Sequence, residues 1–153
     1  MAKIAPMDER IQTFITREKV LALSVIECDS NQGEIATDKG LRVYGASCYY
    51  AFFVPNLSLC FKSALDSKHI QLARRNPNVS VIIAKDSRVL GNIQGVQIQA
   101  RFRDSTQEEE RAYYARFPFA KLGGGAVFAL DICFAKYTDN RLLLQEKLTY
   151  IKD

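Results

Sequence analysis

Residues 57–84 read LSLCFKSALDSKHIQLARRNPNVSVIIA, and the changes of period within them decide the kind of fold the chain takes. Over residues 57–62 apolar and polar side chains alternate, as in a strand that turns one face to a core. The alternation then stops, and Ser67 begins a helix with Ile70 and Ala73 on one side and Leu72 beside them. Arg74 and Arg75 fall in its last turn, where cations complement the helix dipole, and Asn76-Pro77 closes it. Residues 79–84 (VSVIIA) return to a strand. The unit is strand, one short helix, strand, without a glycine-rich turn between them.

The same reading extends in both directions. Asp8 is placed to cap a short helix with Ile11, Phe14 and Ile15 on one face. Residues 20–28 (VLALSVIEC) read as a strand, and the polar stretch 29–40 holds the turn formers Asn31, Gly33 and Gly40. Residues 41–53 form a long aromatic strand stopped by Pro55-Asn56. Beyond the opening segment, 86–92 is a turn region and 93–103 a long strand. Ser105-Thr106-Gln107-Glu108 is a capping box for a helix running to about Phe117 and stopped by Pro118. Gly123-Gly124-Gly125 reads as a flexible connector. Residues 126–137 and 142–151 are the last strands, joined through Thr138-Asp139-Asn140. About six strands with short turns and three short helices argue for a mainly β fold, an antiparallel sheet closed into a barrel. No G-x-G-x-x-G or G-x-x-x-x-G-K-[ST] occurs, so neither a dinucleotide turn nor a P-loop is available.

Bulk properties narrow the function. The 153 residues suit one domain over 1–153, and 48% apolar with 25% charged residues is an ordinary globular composition. No apolar run approaches the roughly 20 residues of a membrane span, and residues 1–6 lack a signal-peptide core; a cytoplasmic protein with no membrane partner is expected. The net charge of +4 is scattered, which does not suit a nucleic-acid surface. Cys28, Cys48, Cys60 and Cys133 are widely spaced in apolar segments and read as reduced, buried thiols, with no metal site. His69 is the single histidine, and no serine or cysteine shows activation beside it. Asp104, Glu108, Glu109 and Glu110 read as a solvated helix start, Arg101 and Arg103 as the wet side of a strand, and Tyr113, Tyr114, Phe117 and Phe119 as core. No catalytic residue is assigned.

The segment 61–69 carries the chemistry. It lies between a strand end and a helix start, where unpaired amides form an anion site and Ser63 and Ser67 add hydroxyls. Lys68 is unusual there, because a first-turn cation opposes the helix dipole. A bound phosphate would reverse that sign and recruit Lys62, Lys68 and a protonated His69. The plainer alternative makes Ser67 an N-cap and leaves the lysines in water.

Residues 61–81, together with the aromatic strand Ser47-Cys48-Tyr49-Tyr50-Ala51-Phe52 before them, resemble the pyridoxamine 5'-phosphate oxidase-like FMN split barrels. There an aromatic residue at a strand end precedes Ser or Thr, basic residues follow, and Asn-Pro-x-Val opens the next strand. The runs GVQIQARFR, Arg116-Phe117-Pro118 and Lys136-Tyr137-Thr138-Asp139-Asn140 look like a small bacterial branch of that group. The resemblance covers residue 20 to the C-terminus. It implies a six-stranded antiparallel split barrel of Greek-key type, a homodimer with FMN at its interface, and flavin-dependent redox of a small substrate, with a nicotinamide as one donor. Lys68 and His69, with Lys62, Ser63 and Ser67 beside them, would hold the FMN phosphate. Backbone groups of Ser47, Cys48, Tyr49 and Tyr50 would meet the ring edge, and Gln94 or Gln97 a polar flavin atom. Family members often carry two adjacent basic residues where this chain has Lys68-His69. The oxidase's arginine-rich C-terminal segment is missing, so pyridoxamine phosphate oxidation is not expected. A non-catalytic flavin or haem carrier is the alternative.

Overall fold

The computed structural model describes residues 6–28, 40–89, 91–141 and 147–152. Its elements in chain order are α1 (Glu9–Arg17), β1 (Val20–Cys28), β2 (Leu41–Phe53), β3 (Ser58–Ser63), α2 (Lys68–Arg75), β4 (Asn78–Lys85), β5 (Gln94–Asp104), α3 (Gln107–Arg116), β6 (Ala126–Asp139) and β7 (Leu148–Ile151). The strands run β3-β2-β1-β4-β5-β6-β7, and β3 also pairs with β6. That extra pairing closes six antiparallel strands into a ring and leaves β7 as a short addition on β6. The fold is therefore the six-stranded split barrel, made of two three-strand meanders joined through α2. The expected turn formers Asn31 and Gly33, and the first part of the expected strand 142–151, lie outside the described residues.

Period-two alternation builds the barrel interior. Leu21, Leu23 and Val25 of β1, Val81 and Ile83 of β4, Val96 and Ile98 of β5 and Leu130 and Ile132 of β6 are all buried in one core. Helix α1 plugs one end with Ile11, Phe14 and Ile15, and the Asp8 side chain caps it at Arg10 N–H. Strand β3 departs from the expected one-sided pattern, since Ser58, Leu59, Cys60 and Phe61 are all buried. Its second face lies beneath α3, where Ala51, Cys60, Tyr113, Phe117 and Val127 form a smaller cluster outside the barrel. Phe119, by contrast, is exposed. None of the four cysteines is in a disulfide; Cys60 is buried and Cys28, Cys48 and Cys133 are half-buried.

Three local readings are corrected by the tertiary structure. The capping box of α3 is Thr106 with Glu109, one residue later than Ser105 with Glu108. Glu109 is fully buried and not solvated: Arg103 reaches it at 2.7 Å and 2.9 Å, and the Ser58 hydroxyl donates to it. Arg103 is accordingly drawn under α3 and not left in water, because it also grips Asp131 at 2.7 Å and 2.8 Å. Burial alone would raise the Glu109 carboxyl; Arg103, Ser58 and the Thr106 amide outweigh it and hold it down to about 2.

Candidate functional site

The split in the barrel comes from how β2 is shared. Its residues 50–53 pair with β3 and its residues 41–49 with β1. Tyr50 N–H donates to Lys19 O. Antiparallel alternation then turns the peptide groups of Ser47 and Tyr49 away from β1, onto an edge that no described strand covers. Past Phe61, β3 leaves β2 and continues on β6 alone, carrying Ser63 to the mouth of this gap.

Helix α2 begins at the same mouth. Ser63 Oγ lies 2.8 Å from His69 Nε2 and 3.1 Å from Ser67 Oγ. Ser67 is the N-cap residue, yet its side chain caps nothing in the helix and instead donates to Ala64 O at 2.9 Å. Helices α1 and α3 both have side-chain caps; α2 leaves its first-turn amides to another acceptor. Burial lowers the His69 imidazole below its ordinary value and favours the neutral ring. Lys68 stands beside this cluster, half-exposed, with Nζ 3.0 Å from Glu27 Oε1 and 4.8 Å from the centre of the Tyr44 ring. Gly125 closes the floor: its φ is +97°, and a Cβ there would lie 2.5 Å from Ser63 O. That glycine is a close-packing requirement and not a slack connector.

The structure thus gathers Ser63, Ser67 and His69, with Lys68 adjacent. Lys62 is kept apart. It leaves β3 on the opposite face, donates to Ala120 O at 2.5 Å and Gly123 O at 2.9 Å, and lies over the Tyr114 ring. On β2, Ser47 and Tyr49 face outward, Cys48 is half-buried and Tyr50 is fully buried with its hydroxyl donating to Ile15 O. Burial raises the Cys48 thiol to about 11.

The two glutamines separate as their parity on one strand requires. Gln94 is buried, donates to Asp139 Oδ2 at 2.9 Å and Tyr137 OH at 3.3 Å, and its Oε1 has no partner among the described residues. Gln97 is exposed on the outer face. Across that face Ser47 pairs with Ala22, Ala22 with Ile82 and Ile82 with Gln97. Ser47 and Gln97 therefore share one row at three strand spacings, roughly 14 Å apart. The same face exposes Val43 (71%), Tyr49 (59%) and Ile82 (54%).

The residues that the linear reading missed are Glu27, Arg42, Tyr44 and Gly125. Only the positive-φ glycine left a trace in sequence, as one of three consecutive glycines.

No protein-family model matches the chain. A UPF0306 protein of Campylobacter jejuni is 38% identical over 147 residues, covering 95% of this chain and 99% of that one. The chain belongs to the UPF0306 family. A Yersinia pestis member is 28% identical over 142 residues, covering 90% and 88%. Among solved structures, the heme binding protein from Mycobacterium smegmatis superposes with a TM-score of 0.71 at 12% identity, over 94% of this chain and 57% of that one. A FAD-binding protein from Mesorhizobium loti gives 0.61 at 17% identity, over 83% and 88%. A Listeria innocua protein assigned as a pyridoxamine 5'-phosphate oxidase gives 0.61 at 13%, over 84% and 95%. At these identities the likeness establishes the shared split-barrel fold. No helix among the described residues is long and apolar enough to cross a membrane.

Proposed function

We propose that this UPF0306 protein is a cytoplasmic FMN-binding homodimer that carries out flavin-dependent redox on a small substrate. The observation that carries the reading is the convergence of Ser63, Ser67, His69 and the uncapped start of α2 at the open edge of β2. The chemistry of that donor set suits a phosphate: two hydroxyls, first-turn amides, an imidazole and one lysine. The neighbouring edge suits the polar rim of a flat ring, since the peptide groups of Ser47 and Tyr49 are free to pair with it. Bound flavin would supply hydride acceptance and donation, with a nicotinamide as one donor; the chain supplies binding, orientation and electrostatics. The imidazole of His69, whose burial favours the neutral ring, would gain a proton as the phosphate arrives and exchange its contact with Ser63.

A second copy completes this reading. The outer face exposes apolar residues beyond what a lone barrel needs. Gln97 stands too far along its row to meet a ring at Ser47 of its own chain. In the proposed dimer the facing copy would supply it, and its exposure favours Gln97 over the enclosed Gln94 as the flavin contact. Lys62 has two of its three donors on carbonyls of the opposite face and takes no direct part.

The haem reading draws on the likeness to a heme binding protein. It is the weaker one here, since hydroxyls and the uncapped first-turn amides of α2 suit an oxyanion and supply no iron ligand. Flavin fluorescence titration tests the phosphate cradle: FMN is expected to bind at least about tenfold tighter than riboflavin. Lys68→Ala is expected to remove most of that difference. Equal affinity for the two flavins would sink the assignment.

A further inference from the structure

Glu27, next to the end of β1, faces two cations with its two oxygens. Oε1 lies 3.0 Å from Lys68 Nζ, and Oε2 lies 3.7 Å from Arg42 Nε. Its side chain is largely sheltered, at 20% exposure, while Lys68 retains 50%. The first turn of α2 contains no acidic residue of its own, so this carboxylate comes from another element. It offsets a lysine that otherwise opposes the helix dipole. A carboxylate seated between an ammonium and a guanidinium is chemically a resident oxyanion, and a phosphate would claim the same cations.

We infer that Glu27 is a built-in competitor for the phosphate, holding Lys68 until the ligand displaces it and so setting both the affinity and the preference for phosphorylated flavin. The inference rests on the flavin reading above. Lys68 Nζ has to leave Glu27 to turn toward the Ser63–Ser67–His69 cluster. Once displaced, the carboxylate remains near a phosphate dianion and repels it. Both effects weaken FMN binding and neither touches riboflavin, which carries no phosphate.

The test is a parallel titration of FMN and riboflavin into the full-length wild type, Glu27→Gln, Lys68→Met and the double variant. Glu27→Gln should tighten FMN roughly three- to tenfold, the range of a released exposed ion pair plus one removed like charge. Riboflavin affinity should stay within about twofold, which also reports an intact fold. In the Lys68→Met background the gain should fall to less than about half its size, because most of it acts through that lysine. Unchanged or weaker FMN binding by Glu27→Gln overturns the inference, as does a gain shared by riboflavin or one undiminished without Lys68. Absence of FMN uptake by wild type and Glu27→Gln alike removes the flavin reading, and the inference with it.

Discussion

Replacing Arg103 with methionine should be among the most damaging single changes outside the barrel interior. The guanidinium holds two carboxylates at once, Glu109 with no solvent exposure and Asp131 at 25%, through four bonds of 2.7–2.9 Å. Removing it leaves Glu109 as an uncompensated buried charge, a change that costs about 3–5 kcal/mol. The depressed Glu109 pKa, the balance of Arg103, Ser58 and the Thr106 amide against burial, gives a magnitude of the same order. It falls from 4.5 to about 2, and at roughly 1.4 kcal/mol for each factor of ten in proton affinity that is about 3 kcal/mol. A lowered carboxyl pKa stabilises the fold above the unfolded value, and the contribution is lost as pH falls through the folded one. Without Arg103, burial raises the Glu109 carboxyl, so the gap between wild type and Arg103→Met is widest at neutral pH and closes as pH falls through the variant's raised value toward wild type's, about 2. Urea denaturation measures it, with a midpoint lowered by about 2 M at neutral pH. Glu109→Gln removes the charge with the cavity still filled, and should cost less than Arg103→Met, below about 2 kcal/mol. A loss under about 1 kcal/mol for Arg103→Met, the range of exposed pairs, or one independent of pH, would mean that Glu109 does not depend on Arg103 for its charge.

Other outcomes follow from the same geometry. Gly125→Ala puts a Cβ 2.5 Å from Ser63 O at a φ of +97°; it should cost about 1–3 kcal/mol in denaturant and weaken FMN binding through displaced Ser63. Tyr50→Phe leaves Ile15 O without its donor inside the core and should lower stability by about 1–3 kcal/mol with little effect on flavin affinity. Ile82→Arg places a charge on the exposed outer face beside Gln97; sedimentation should show a dimer for wild type and a monomer for the variant, with FMN lost in parallel. A monomeric wild type, or a variant that stays dimeric, would discard that face as the interface.

What was readable from the chain is what depends on near neighbours. Asp8 and the Ile11, Phe14, Ile15 stripe are set by spacing within one helix, and β1 and β2 appear with the bounds their composition suggests. The α3 cap shows the limit. Ser105–Glu108 and Thr106–Glu109 satisfy the same local pattern, and the choice falls to Arg103 and Ser58, which need Glu109 facing inward. Lys62 is similarly decided from afar, by carbonyls of Ala120 and Gly123 that form only once the 3-10 turn Pro118–Leu122 folds over β3. Within the candidate site, Ser63, Ser67 and His69 were legible because they share one strand-to-helix turn. Glu27 and Tyr44 reach Lys68 only through the β1–β2 hairpin, and no spacing along the chain announces that contact.

The visible absorption spectrum of the purified protein, recorded before and after dialysis against FMN, decides whether flavin is its cofactor. A flavin spectrum at about one FMN per chain, retained through gel filtration, is expected. A Soret-type band would move the protein to the haem readers of this fold, and a colourless protein that takes up no flavin would contradict the account.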